Sequence, residues 1–126
     1  MSRFHIQTLV HPGYAVLRTE GEVDQEAAHA IEDEYDRLAR SGRRDFVFNF
    51  ARAGIIDSRG LAVLLGIVER HGEALGGRIL FCELGEVNAE QVEAAGLPPG
   101  ARCVATEAEA RALLEGPPAP SSSSEL

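Results

Sequence analysis

Asp45-Phe-Val-Phe-Asn-Phe50, Ala51-Arg-Ala-Gly54-Ile-Ile56 and Asp57-Ser58-Arg59-Gly60-Leu61-Ala-Val63-Leu-Leu-Gly-Ile67-Val68 follow one another in the middle of this chain. The first six residues are apolar on both alternating faces except at Asn49, the pattern of a strand covered on both sides. Ala53-Gly54 reads as a turn. From Ser58 the apolar period changes from two residues to that of a helix, which runs to Gly76-Gly77. A doubly covered strand followed directly by a helix is the repeating unit of an α/β sheet.

The flanks extend the same alternation. Phe4 to Val10 and Tyr14 to Thr19 are β-rich runs joined by the turn residues His11-Pro-Gly13. Gly21-Glu-Val-Asp24 leads into a helix on which Ala27, Ile31, Tyr35 and Leu38 recur at helical spacing, and Ser41-Gly42 stops it. Beyond the second helix come a strand (Arg78 to Glu83), a short helix (Asn88 to Ala95) closed by Gly96, and a Pro98-Pro-Gly100 turn. A short strand (Arg102 to Ala105) and a helix (Glu107 to Leu114) finish the pattern. The order β-β-α-β-α-β-α-β-α predicts a mixed, mainly parallel sheet of about five strands with four helices. It spans one domain over residues 1–115. Residues 116–126, with three prolines and four serines, cannot bury a core and are expected to be disordered.

The chain has 126 residues, 44% apolar and 25% charged, an ordinary globular mixture. Twelve basic residues, every one an arginine, stand against twenty acidic ones, for a net charge of −8. That balance argues against binding nucleic acid or an anionic membrane, since both need a dense cationic surface. The absence of lysine removes P-loop, Schiff-base and lysine general-base chemistry. No apolar stretch approaches a membrane span, and the first residues lack a signal-peptide pattern, so a cytoplasmic protein is expected. Cys82 and Cys103 sit in apolar runs and read as buried strand cysteines.

Catalytic signals are sparse. His5, His11, His29 and His71 show no metal-ligand or triad spacing and read as surface residues. Glu20, Glu22 and Asp24 alternate, and such carboxylates can do acid–base work or hold a cation. Three acids before a helix equally suit its positive end, with Asp24 as the cap. Helix starts are more informative. Asn88-Ala-Glu-Gln91 and Thr106-Glu-Ala-Glu109 have capping-box spacing, whereas Ser58-Arg-Gly-Leu61 has a capping residue without the box. No acid at the third helical position would repel an anion there, so Ser58 is either an ordinary cap or a phosphorylation switch built on one. On a helical wheel, Leu61, Leu64, Leu65 and Val68 form one face. Val63 and Ile67 fall opposite, either under a loop or as a contact surface.

Asp57-Ser58-Arg59-Gly60-Leu61, between that buried strand and an Ala-Val-Leu-Leu-Gly helix, resembles the Asp-Ser-(Ser/Thr)-Gly-Leu signature of STAS domains. Within these it is most similar to the bacterial anti-sigma factor antagonists. Gly21-Glu-Val-Asp24, Gly76-Gly-Arg-Ile-Leu80 and Ala94-Ala-Gly-Leu97 resemble further family segments in the same order, so the likeness covers roughly residues 3–115. The resemblance implies a STAS-type fold and a non-enzymatic switch protein. Its unphosphorylated form would bind an anti-sigma factor serine kinase and so release the sigma factor. Phosphorylation of Ser58 would end that binding, and a serine phosphatase would restore it. ATP and Mg²⁺ would belong to the kinase, and the chain would need no cofactor or metal of its own. Asp57, Ser58, Arg59, Gly60, Val63, Ile67, Gly21 and Asp24 are the implied partner-binding positions. Arg59 departs from the family's small residue.

Two alternatives accompany this reading. The same run suits a STAS accessory subunit of a transporter or a stressosome-type scaffold, and Val63 and Ile67 would serve a homodimer as readily as a kinase. A small enzyme built on Glu22, Asp24 or a nucleotide site near Ser58 would need a defined pocket lined by ionisable groups.

Overall fold

A computed structural model describes residues 4–74 and 76–116. Nine elements follow in order: β1 (His5–His11), β2 (Tyr14–Val23), α1 (Gln25–Arg40), β3 (Asp45–Ile56), α2 (Ser58–Ala74), β4 (Ile79–Cys82), α3 (Glu86–Ala95), β5 (Ala101–Val104) and α4 (Glu107–Glu115). The five strands form one sheet in the order β1-β2-β3-β4-β5, antiparallel only between β1 and β2. The expected fold class and element order therefore hold. Apart from Gly116, the tail expected over 116–126 lies outside the described residues.

Because the parallel strands advance in one direction, right-handed crossovers place α1, α2 and α3 on one face. There Ala15, Leu17, Phe46, Phe48, Phe50, Ile79 and Phe81 meet Ile31, Leu38, Leu64, Ile67 and Val92 in the main core. The alternate residues Tyr14, Val16, Val47, Leu80 and Cys82 face the other way, covered by Ala110 and Leu114 of α4. Burial pushes the Cys82 thiol up to about 12. Cys103, expected to be buried, is exposed, because β5 is the last strand of the sheet.

Ala53-Gly54 is not a turn. β3 continues through it to Ile56, and β2 follows alongside with two register shifts. Glycine serves close approach here: a Cβ at Gly54 would lie 2.9 Å from Glu22 Cγ.

The wheel for α2 is also corrected. Ile67 is fully buried beside Leu64 and Val68, Val63 is half-buried, and Leu65 is only half-buried. The inward stripe contains Gly60 and His71 as well, neither of which reads as apolar, so the sequence pattern points about a seventh of a turn off.

His71, read as a surface residue, is 1% exposed. Its Nε2 lies 2.6 Å from the Arg44 carbonyl and its Nδ1 2.6 Å from the Tyr35 hydroxyl. A carbonyl only accepts, so Nε2–H donates to it and Nδ1 accepts from Tyr35, which fixes the neutral tautomer. Burial holds this imidazole below its ordinary 6.5. The unfolded chain then takes up the proton first, so the stability from this site is complete above about pH 6.5 and falls as pH drops through it. Urea midpoints measured between about pH 7.5 and pH 5 should fall more steeply for the wild-type chain than for His71→Gln. Equal slopes would remove this residue from the acid response.

Candidate functional site

The C-terminal ends of the parallel strands bring Val23-Asp24, Ile56-Asp57-Ser58 and the segment after Cys82 to one edge of the sheet. The Asp57 N–H donates to the Val23 carbonyl at 3.1 Å, which ties the end of β3 to the end of β2. Its Oδ1 accepts the Gly60 N–H at 2.8 Å, and its carbonyl accepts the Leu61 N–H at 2.9 Å. Asp57 is therefore the N-cap of α2 and Ser58 the first helical residue, which corrects the expectation that Ser58 is the cap. Such a cap stabilises a helix by about 1 kcal/mol.

Gly60 completes the arrangement. A Cβ there would stand 2.3 Å from the Val23 carbonyl oxygen and 3.1 Å from that of Asp24. Only glycine lets the first turn of α2 lie this close to the β2–α1 junction. The spacing Asp-Ser-x-Gly thus has a physical meaning. The acid caps, the glycine admits a neighbouring backbone, and the serine between them is left facing out. Ser58 is exposed, and its hydroxyl makes no hydrogen bond to the described residues.

Arg59 is exposed and has no ion pair among the described residues. Asp24 caps α1, with Oδ1 accepting the Ala27 N–H at 2.8 Å, as expected. Gly21 sits at a register shift of β2 with φ +104°. The structure therefore gathers Asp24, Asp57, Ser58, Arg59 and Gly60 at one edge. Val63 lies further along α2, and Ile67 is withdrawn into the core.

Sequence reasoning missed how α3 takes part. This helix starts at Glu86, not Asn88, with Gly85 as an N-cap that makes no side-chain bond. Asn88 is buried. Its Oδ1 accepts the Ile56 N–H and its Nδ2 donates to the Gly54 carbonyl, both at 3.0 Å. Gln91 Nε2 donates to the Ile56 carbonyl at 2.9 Å. β4 pairs only with Phe46 to Asn49, so these two carboxamides satisfy the backbone of β3 just before Asp57. Two amides three residues apart were the only signal, and a capping box has the same spacing. At α4 the cap forms, and the glutamate reaches back one residue past it. Thr106 Oγ1 accepts the Glu109 N–H at 3.1 Å, and Glu109 Oε1 accepts the Ala105 N–H at 2.9 Å.

On the α4 face, a cavity of about 680 Å³ is lined by Arg18, Asn49, Arg52, Glu83 and Glu107 among others. Arg18 donates to both Glu107 oxygens at 2.9 and 2.8 Å, Asn49 Nδ2 donates to Oε1 at 2.7 Å, and Glu83 accepts the Glu107 N–H at 2.9 Å. The Arg18 guanidinium holds the Glu107 carboxyl below its usual range. These groups satisfy one another and dock the start of α4 on the sheet. Glu20 pairs with Arg52 at 3.3 Å, while Glu22 is exposed, so the three alternating acids do not converge. Among the described residues no three His, Cys, Asp or Glu side chains are grouped to hold a metal, and no helix is long and apolar enough to cross a membrane.

Comparison with known proteins gives the same architecture. The anti-sigma factor antagonist SpoIIAA in its unphosphorylated form superposes with a TM-score of 0.68 at 25% identity, over 90% of this chain and 99% of that one. The Bacillus SpoIIAA in its phosphorylated form gives 0.66 at 26% identity, over 88% and 98%. An anti-sigma factor antagonist from Mycobacterium paratuberculosis gives 0.76 at 19% identity, over 90% and 95%, a likeness of fold. No curated protein matches the sequence. The STAS domain model matches residues 5–110, from the first residue of β1 to the buried Ala110 of α4, and the chain belongs to the STAS domain family.

Proposed function

We propose that this chain is an anti-sigma factor antagonist, a bacterial, cytoplasmic, non-enzymatic switch whose Ser58 is phosphorylated by an anti-sigma factor serine kinase. The observation that carries the reading is the exposed Ser58 hydroxyl, without a hydrogen-bond partner among the described residues while Asp57 and Gly60 fix the backbone on either side of it. The unphosphorylated edge around Asp24, Asp57, Ser58, Arg59 and Gly60 docks the kinase, with Gly21 and Val63 beside it, and docking frees the sigma factor. Phosphate adds about −1.5 to −2 charges next to the Asp57 carboxylate. An interface fitted to a neutral hydroxyl then has to desolvate or repel a dianion. The first turn of a helix tolerates that charge, since its dipole and free N–H groups favour anions, so the fold survives while the complex does not. ATP and Mg²⁺ enter with the kinase, and a serine phosphatase resets the site. Arg59, free to swing toward the phosphate, softens the switch.

The test is incubation with candidate anti-sigma kinases and radiolabelled ATP, then intact-mass measurement and mapping of the modified residue. A single phosphate on Ser58 is expected. Label confined to another residue, or absent with a kinase that binds the chain, overturns the assignment.

A further inference from the structure

Among the described residues, Ile55 and Val87 are the most exposed large apolar side chains, at 53% and 54%, and both line one groove. The groove, of about 610 Å³, runs between the end of β3 and the start of α3. Phe50, Ala53 and Leu84 contribute further apolar lining, and among the described residues its charged lining is Glu22, Glu83 and Glu86. Glu83 is engaged with the Glu107 N–H, but Glu22 and Glu86 are exposed and have no ion pair among the described residues. The groove adjoins the switch, because Ile55 lies three residues before Ser58 and Asn88 of the same lining bonds to Ile56.

Branched side chains left in water beside uncompensated carboxylates match a ligand that is apolar and cationic together. We propose that this groove seats a basic segment of the docking partner, anchored by a branched or aromatic side chain and flanked by arginine or lysine. The proposal rests on the reading that the Ser58 edge docks a protein. Residues 117–126 of this chain carry no arginine or lysine and lack that chemistry, and a second copy brings a further net charge of −8.

The probe is an acetylated hexapeptide of alternating arginine and leucine, titrated into the ¹⁵N-labelled full chain, with a glutamate–leucine hexapeptide as control. Amide shifts are expected at residues 50–55 and 83–88 with the basic peptide alone. Affinity should fall about tenfold or more in Glu22→Lys/Glu86→Lys and in Ile55→Ser/Val87→Ser. All four side chains are exposed, so unchanged thermal midpoints would verify that both variants fold. Equal binding of the acidic peptide, shifts scattered over the acidic surface, or undiminished affinity in both variants would overturn the proposal. So would self-association of the free chain that disappears in Ile55→Ser/Val87→Ser, since the groove would then belong to a second copy. The two readings fail separately. Loss of the groove leaves phosphorylation of Ser58 intact, and peptide binding that persists in a chain never phosphorylated at Ser58 supports the groove alone.

Discussion

Gly60→Ala is expected to lower the unfolding free energy by about 3 kcal/mol, the upper part of the range for forcing extra volume into a packed site. For a chain of this size that is a drop in melting temperature of roughly 10–15 °C. The new methyl would stand 2.3 Å from the Val23 carbonyl oxygen, which belongs to the backbone and cannot rotate aside. The same oxygen receives the Asp57 N–H, so relieving the clash loosens the cap as well. Gly66→Ala, in the same helix, is the control. Nothing lies within 4 Å of a Cβ there, and alanine is the better helix former by about 1 kcal/mol, so that variant should melt higher than wild type. Thermal and urea unfolding of the two variants measures the contrast. If both shift in the same direction, the close approach at Gly60 is not what its identity is for.

Ser58→Glu should separate stability from recognition. At the first helical position a carboxylate interacts favourably with the helix dipole, so the melting temperature should stay level or rise slightly. Affinity for the proposed kinase partner should fall at least about tenfold. Phosphoserine itself should exceed a hundredfold, a coupling of about 3 kcal/mol. Calorimetric titration of wild-type, Ser58→Glu and phosphorylated chains against one kinase reads all three values. Arg59→Ser is expected to widen the gap between the phosphorylated and unmodified forms, because a neutralising guanidinium is gone. A Ser58→Glu chain that binds as tightly as wild type would remove charge as the basis of the switch.

The elements most legible in the sequence were those whose burial follows a simple period. Phe46 to Phe50 had to be a covered strand, and Ala27, Ile31, Tyr35 and Leu38 a covered helix face, because few polar atoms interrupt either pattern. Four of the misread positions share one cause: residue types that ordinarily mark the surface or a turn serve the packed structure here. Gly54 continues a strand instead of turning it, Gly60 and His71 lie on the buried stripe of α2, and Asn88 turns inward to a neighbouring strand. Each depends on a partner distant in sequence (Glu22, Val23, Arg44 or Ile56), so no local window contains the reason. At the site, the Asp-Ser-x-Gly motif could be recognised. The division of labour within it, with the acid capping and the serine free, needed the hydrogen bonds.

The pair of amides from Asn88 and Gln91 has a mechanical consequence. They grip Ile56 at both its N–H and its carbonyl, where a neighbouring strand would otherwise run. Those bonds join α3 directly to the last residue of β3. Pressure on α3 would therefore be passed through two bonds to Ile56 and, two residues on, to Ser58. The hold on the serine's backbone thus extends beyond its own helix to a second one.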